Sequence, residues 1–256
     1  MTFAPVGIKC PDHAGVGGPR SAPARASRPR PAREAQRTIS GLEAPATIGL
    51  VILNVLVYMV TVYQGVGVAR PGGELFDKGA LVGAQIYAQG DWYRLVTAMF
   101  LHASLLHLAL NMLVLYWCGT VVERALGTWR FLLVYFVAGI AGSAGALLFS
   151  GPFAVTVGAS GAIYGIFGAL LVLEYRATGS FTGPALSLIV INLALSFVIP
   201  NISWGGHVGG LVGGTLATFA LVHYQYGRPR SLGPALVGLI MIASLVVAYV
   251  RVESYV

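Results

Sequence analysis

Charged residues are scarce in this chain of 256 residues, since Asp, Glu, Lys and Arg together make up 10% of it. A soluble globular protein carries roughly 25% charged residues and keeps polar side chains on its surface. Hydrophobic residues make up 56% of the chain, and 34 residues are glycine. This composition excludes a disordered chain and an ordinary soluble domain, and it indicates that a lipid bilayer is the solvent.

Cysteine is also scarce, because Cys10 and Cys118 are the two in the sequence. Two cysteines cannot form a disulfide framework for a chain this long, and Cys118 lies in an apolar run, which predicts a small core residue. Cys10 and His13 have the spacing of half a zinc site, but zinc takes four ligands. We therefore expect no metal and no other cofactor.

Residues 1–40 contain little that is apolar and are rich in Arg, Pro, Ala and Gly, which predicts a disordered basic tail. No short apolar segment with a cleavage site follows, so the tail is not a signal peptide. The formal charge of +7 could suggest nucleic-acid binding, but seven of the 16 basic residues lie in this tail. The others are scattered between apolar runs, so the charge is better explained by membrane topology than by a nucleic-acid partner.

Seven apolar runs follow the tail, and each approaches the roughly 20 residues that a membrane-spanning helix needs. They lie near 46–64, 95–118, 131–149, 158–173, 184–199, 205–223 and 234–250. Backbone polar groups must be satisfied within the segment when lipid surrounds it, which leaves helices as the fold of these runs. The sequence therefore predicts an all-α polytopic membrane bundle.

The distribution of Lys and Arg predicts the orientation of the bundle. If the N-terminus is cytoplasmic, 12 of the 16 basic residues lie on the inner side and 4 on the outer side. The positive-inside rule then places the long first loop and the C-terminus outside. The second, fourth and sixth helices would all run from the outside to the inside.

Polar residues inside apolar runs are costly, and each is therefore a candidate functional residue. The second run contains His102, His107 and Asn111. His107 and Asn111 are spaced i and i+4 and share a helix face, whereas His102 lies about 140° around a regular helix from His107. Taken alone, His107 and Asn111 could equally be a hydrogen-bonded pair that joins two helices.

The fourth run opens with Gly158-Ala-Ser160-Gly161, and Tyr164 follows one turn later on the same face. A serine at a helix N-terminus lies where negative charge on a nearby oxygen is stabilised. The string is not the Gly-x-Ser-x-Gly nucleophile elbow, because Gly161 follows Ser160 directly. On its own, this segment is also explained as a packing helix of small residues.

The sixth run places His207 among glycines that repeat every fourth residue, at 206, 210 and 214 and at 205, 209 and 213. Such a face lets another helix backbone approach closely. If the fourth helix is that neighbour, His207 and Ser160 lie at similar depth and can act as base and nucleophile, with His107 and Asn111 as oxyanion donors. No Asp or Glu is placed to orient His207, so we expect packing to hold it, with Tyr164 as the stacking ring.

These motifs together resemble the rhomboid intramembrane serine proteases over residues 46–225. The shared elements are Trp92-Tyr-Arg94, His107-x-x-x-Asn111 with the upstream His102, Gly158-x-Ser160-Gly161, and His207-x-x-Gly210-x-x-x-Gly214. The family often has Glu-x-Arg after the second helix, whereas here Arg124 follows Glu123 directly. Gly7 to His13 also look similar to the end of a zinc module in some actinobacterial rhomboids, which implies no metal here.

The resemblance implies a six-helix protease core over residues 41–230 and a seventh helix with the C-terminus over residues 231–256. It implies a Ser160 and His207 dyad, with Gly158, His102, His107, Asn111 and Tyr164 in support. The expected partners are transmembrane protein substrates within the bilayer of a bacterial cell, and no oligomeric state follows. Two alternatives stay open: a rhomboid-like binder that does not cut its clients, and a transporter, although no internal repeat favours the latter.

Overall fold

The computed structural model describes residues 2–4, 7–9, 43–200, 202–224, 229 and 231–255. The chain divides into two units, Met1–Gly41 and Leu42–Val256. In the first unit, strands β1 (Thr2–Ala4) and β2 (Gly7–Lys9) pair in antiparallel register. These strands are the described part of the tail for which the sequence predicted disorder.

The second unit is a bundle of apolar helices. Seven principal helices form it: α1 Pro45–Gln64, α2 Leu105–Leu126, α3 Thr128–Phe149, α4 Ser160–Thr178, α5 Pro184–Val198, α6 Trp204–His223 and α7 Leu232–Glu253. Five of them, α1, α2, α3, α6 and α7, are long and apolar enough to cross a membrane. The seven predicted runs therefore correspond to seven helices, of which α5 is shorter, at 15 residues.

The second run differs most from its prediction. Instead of one helix from residue 95, the chain forms a short helix Arg94–Thr97, a 3-10 turn Ala98–Phe100 and a break before α2 begins at Leu105. Ser104 causes the late start, because its side chain accepts a hydrogen bond from the His107 N–H and so caps the new helix. Within α2, the α-helix is interrupted by a π-helical turn at Leu115–Gly119, which contains the half-buried Cys118.

The α2 helix continues to Leu126, beyond its predicted end, because Glu123 has partners inside the protein. The Glu123 carboxylate accepts hydrogen bonds from the N–H groups of Ala46 and Thr47, at 3.0 and 2.7 Å, in the first turn of α1. It also accepts from the hydroxyls of Thr47 and Thr128, both at 2.8 Å. A carboxylate at a helix N-terminus is favourable, and here it joins α1 to α2 and α3. The adjacent Arg124 forms an ion pair with Glu43.

The α6 helix packs between α4 and α3 through two glycine faces. A Cβ atom on Gly210 would overlap the backbone of Gly161 in α4, and one on Gly209 would lie 3.1 Å from the Cα of Gly145 in α3. The two predicted glycine faces thus contact different neighbours. In the structure α4 is a close neighbour of α6, which was the condition for placing Ser160 and His207 at similar depth, and the backbones meet where side chains are absent.

The segment between α1 and α2 contains two further short helices, Glu74–Gly79 and Gly83–Gln89. Arg94 organises this segment from a buried position. Its guanidinium donates to the Asp91 carboxylate at 2.9 and 3.1 Å, and to the carbonyls of Asp77 and Ala80 at 2.8 Å. A fixed fork of donors matches several acceptors at once, so one side chain holds the segment together.

The α7 helix packs on α3 and α6. At its C-terminal end, Arg251 donates to the carbonyls of Leu147 and Ser150, at 3.1 and 3.4 Å, and the Tyr255 hydroxyl donates to the Leu147 carbonyl at 3.2 Å. These bonds satisfy carbonyls at the C-terminus of α3. The C-terminal ends of α3 and α7 therefore lie at the same end of the bundle.

Candidate active site

Ser160 and His207 meet near the N-terminal ends of two helices. Ser160 is the first residue of α4, and His207 lies in the first turn of α6, whose N-cap Ser203 accepts from the Gly206 N–H. The His207 Nε2 atom lies 2.9 Å from the Ser160 Oγ atom, within hydrogen-bond distance. The glycine contact between α4 and α6 brings the two residues to the same depth, as the sequence predicted.

The Tyr164 ring stacks on the His207 imidazole. The ring centroids are 4.1 Å apart and the planes differ by 14°. Tyr164 lies one helical turn after Ser160 and is buried, so the serine and the stacking ring share one face of α4. The predicted stacking contact is therefore present, and it fixes one face of the imidazole.

Ser196 in α5 is a contact that the sequence analysis missed. Its Oγ atom lies 2.6 Å from the Nδ1 atom of His207 and 2.8 Å from the hydroxyl oxygen of Tyr164. The sequence does contain a signal for Ser196, because it is a polar residue within an apolar run, as the other candidate residues are. The sequence did not show which face of α5 points to α6, and a helical serine can also bond its own backbone.

His107, Asn111 and Gly158 form a third group beside Ser160. Gly158 has a φ of 127°, which L side chains rarely adopt, and a Cβ there would lie 2.8 Å from the His107 ring and 3.8 Å from the Asn111 Nδ2 atom. The Asn111 amide donates to the His107 carbonyl at 3.0 Å, and a primary amide carries a second N–H. Glycine is therefore required at position 158 for the backbone to pass so close to the side chains of His107 and Asn111.

His102 is not in the helix that the sequence predicted for it. It lies in the non-helical segment before α2, because the Ser104 cap delays the helix. Its ring is fully buried and packs edge-on against the His107 ring, with centroids 5.0 Å apart. His102 thus contacts the group around Ser160 through His107.

The backbone before Ser160 is held by the segment between α1 and α2. Leu81 and Thr156 exchange two backbone hydrogen bonds, at 3.0 and 3.1 Å, and the Gly158 N–H donates to the Ala98 carbonyl at 2.9 Å. Irregular backbone inside a bundle needs such partners, because lipid offers none. The long first loop therefore sets the position of the turn that leads into α4.

Three acidic residues in the described part of the chain have partners other than His207. Glu123 binds the N-terminus of α1, Asp91 binds Arg94, and Glu174 accepts from the Ala185 N–H at 2.9 Å. Among the residues that the structure describes, no three His, Cys, Asp or Glu side chains are grouped to hold a metal. Cys10 and His13, the residues with half-site zinc spacing, lie outside the described residues.

Comparison with known proteins shows the family of the chain. Residues 89–224 match the family model described as the Rhomboid domain, which is just over half of the chain. A bundle of several apolar helices, five of them long and apolar enough to cross a membrane, defines the class as a multi-pass integral membrane protein. The chain belongs to the rhomboid family.

Three relatives indicate how far the likeness extends. The chain is 41% identical over 170 residues to the rhomboid protease GluP of Bacillus subtilis (strain 168), covering 64% of this chain and 32% of GluP. It is 39% identical over 147 residues to YdcA of the same strain, covering 55% of this chain and 73% of YdcA. It is 35% identical over 158 residues to the Rhomboid-type serine protease 2 of Emericella nidulans, covering 59% and 30%. The chain thus spans about a third of the length of GluP and of the Emericella protein.

Proposed function

We propose that this protein is an intramembrane serine endopeptidase that hydrolyses peptide bonds in the transmembrane segments of other proteins. The observation that carries the proposal is the 2.9 Å separation of Ser160 Oγ and His207 Nε2. A nucleophile and its base within hydrogen-bond reach are what acyl transfer requires. The names of the matched relatives, a rhomboid protease and a rhomboid-type serine protease, support the same reaction.

The reaction begins when the Ser160 oxygen attacks the carbonyl carbon of the scissile bond and His207 Nε2 takes the serine proton. The tetrahedral intermediate collapses as the C–N bond breaks, and His207 gives that proton to the leaving amine. A water molecule then attacks the acyl-enzyme, again with His207 as the base, and regenerates the Ser160 hydroxyl. No charged carboxylate takes part in this scheme.

Three donors are proposed to stabilise the developing oxyanion. Ser160 contributes its backbone N–H, because the first N–H groups of a helix have no intrahelical acceptor. Asn111 contributes the second N–H of its amide, and His107 contributes its ring from beside Gly158. Preorganised donors of this kind act strongly where water is excluded.

The proposed orientation places the tail in the cytoplasm of a bacterial cell and the C-terminus outside. The charge count supports it, since 12 of the 16 basic residues then lie inside. Ser160 would lie near the outer surface, and the client would be cut near the outer end of its transmembrane segment. A helical peptide bond must unwind before attack, so helix-weakening residues and a small residue at the cut should favour cleavage.

The test is labelling by a fluorophosphonate probe in detergent, together with cleavage of a transmembrane client in liposomes. Wild type is expected to label and cut, whereas Ser160→Ala and His207→Ala each lose both activities. Because nucleophile and base act as a unit, the double variant should be no worse than either single variant. Cleavage by Ser160→Ala would falsify the mechanism.

The same experiment distinguishes the alternatives. A rhomboid-like binder without activity would retain its client but neither label nor cut. The presence of both Ser160 and His207 at hydrogen-bond distance favours a protease over such a binder. Mass spectrometry of the product termini then reports the position of the cut.

A further inference from the structure

Ser196 is a buried serine that the proposed reaction does not use. Its Oγ atom lies 2.6 Å from His207 Nδ1, 2.8 Å from the Tyr164 hydroxyl oxygen and 2.9 Å from the Asn192 carbonyl oxygen. The residue is only 3% exposed, so water does not compete for these contacts. One hydroxyl therefore connects α5 with the stacking ring of α4 and the histidine of α6.

Counting hydrogens assigns the direction of each bond. A serine hydroxyl has one hydrogen to donate and two lone pairs that accept. The Asn192 carbonyl can only accept, so it takes the Ser196 hydrogen. The Ser196 oxygen then accepts from the Tyr164 O–H and from an N–H at Nδ1 of His207. This assignment places one hydrogen between each pair of atoms in contact.

The opposite arrangement leaves contacts without a hydrogen. If Ser196 donated to a bare Nδ1 of His207, its oxygen would face the Asn192 carbonyl at 2.9 Å, with no hydrogen between two acceptors. A neutral imidazole carries its hydrogen on one nitrogen, so a hydrogen on Nδ1 leaves Nε2 with a lone pair. That is the nitrogen at 2.9 Å from the Ser160 Oγ atom.

We propose that Ser196 is a positioning residue that sets the tautomer and orientation of His207, where other hydrolases use a carboxylate. The inference rests on the proposed function, because it assigns how the base of that reaction is prepared. The Nδ1–H bond to Ser196 persists when Nε2 takes the proton of Ser160, so the imidazole need not turn during the reaction. The Tyr164 stack fixes the plane of the ring, and Ser196 fixes its rotation within that plane.

The first test compares fluorophosphonate labelling rates of full-length variants in detergent, with the maximal rate separated from the half-saturating probe concentration. Ser196→Ala is expected to lower the maximal rate about tenfold, equivalent to about 1.4 kcal/mol, without changing the half-saturating concentration. Ser196→Thr keeps the hydroxyl, so its labelling rate is expected to stay within about threefold of the wild-type rate. A threefold change corresponds to less free energy than the net contribution of one typical hydrogen bond.

The matched control is Ser244→Ala in α7. The Ser244 hydroxyl donates to its own i−4 carbonyl, that of Ile240, at 2.9 Å, as Ser196 does with Asn192. The Ser244→Ala variant therefore loses the same kind of side chain to backbone hydrogen bond without any effect on His207. Its labelling rate should equal that of wild type. Ser196→Ala at the wild-type rate, or Ser196→Thr as slow as Ser196→Ala, would overturn the proposal.

The second test needs no variant at Ser196. Nitrogen-15 NMR of histidine-labelled protein, with His207 assigned by its loss in His207→Gln, should show a protonated Nδ1 and a bare Nε2. A hydrogen on Nε2 in the neutral wild type would overturn the assignment. Failure of the proposed function would be distinguishable from failure of the Ser196 proposal. In that case the wild-type protein would not be labelled, or the Ser160→Ala variant would be labelled, whatever the Ser196 variants do.

Discussion

Gly210→Ala tests whether the contact between α4 and α6 sets the distance between Ser160 and His207. A Cβ atom on Gly210 would lie 2.7 Å from the carbonyl carbon of Gly161, against 3.4 Å for an ordinary contact. The helices must therefore separate by about 0.7 Å or more. Added to the 2.9 Å between nucleophile and base, that shift gives about 3.6 Å, beyond a useful hydrogen bond.

The expected result is a loss of labelling and cleavage rate of about 10²-fold, because a displacement of the order of 1 Å costs that much in a reacting geometry. Overpacking should also lower the free energy of unfolding by about 1–3 kcal/mol. The assay is fluorophosphonate labelling of the folded fraction, with unfolding followed in the same detergent.

The matched control is Gly238→Ala in α7, where an added Cβ meets no atom within 4 Å. Its labelling rate should equal that of wild type, and its stability should rise by about 0.5–1 kcal/mol, since glycine is unfavourable inside a helix. A Gly210→Ala protein that is folded and labels at the wild-type rate would refute the reasoning, because the helix contact would then not set the distance.

Three further changes have distinct expected outcomes. Asn111→Ala should slow client cleavage by roughly 10²-fold without abolishing it, because the Ser160 N–H remains; an unchanged rate would make Asn111 a packing residue. Gly158→Ala should abolish labelling, since the new Cβ lies 2.8 Å from the His107 ring at a φ of 127°; labelling at the wild-type rate would show that the loop adapts. Glu123→Gln should lower the free energy of unfolding by about 3 kcal/mol, measured by denaturant titration, because an amide cannot accept on both sides; unchanged stability would contradict the capping role.

The sequence predicted a close helix contact on the glycine faces of α6, because the cause of that contact is local. Glycine at every fourth position permits close approach whatever the rest of the chain does, and His207 is carried on that helix. The Tyr164 stack followed from its spacing of four residues from Ser160. The helices themselves were predictable because lipid leaves no other backbone structure for apolar runs of this length.

Two of the three missed features depend on contacts between distant parts of the chain, and the third was obscured by its surroundings. The start of α2 at Leu105 is set by the Ser104 cap, a local signal that the apolar character of residues 95–104 obscured. The role of Ser196 required knowing how α5 is rotated against α4 and α6, which one sequence does not contain. The continuation of α2 through Glu123 depends on backbone groups 76 and 77 residues earlier.

The carboxylate of Glu123 also has a consequence for the order of assembly. During synthesis α1 emerges first, yet the acceptor for two N–H groups of its first turn is 76 and 77 residues further along the chain. Until α2 has been made, these groups must remain near the water at the membrane surface, since unsatisfied polar groups in hydrocarbon cost several kcal/mol. The first turn of α1 therefore gains these two protein acceptors only after the end of α2 has returned to the same side of the membrane.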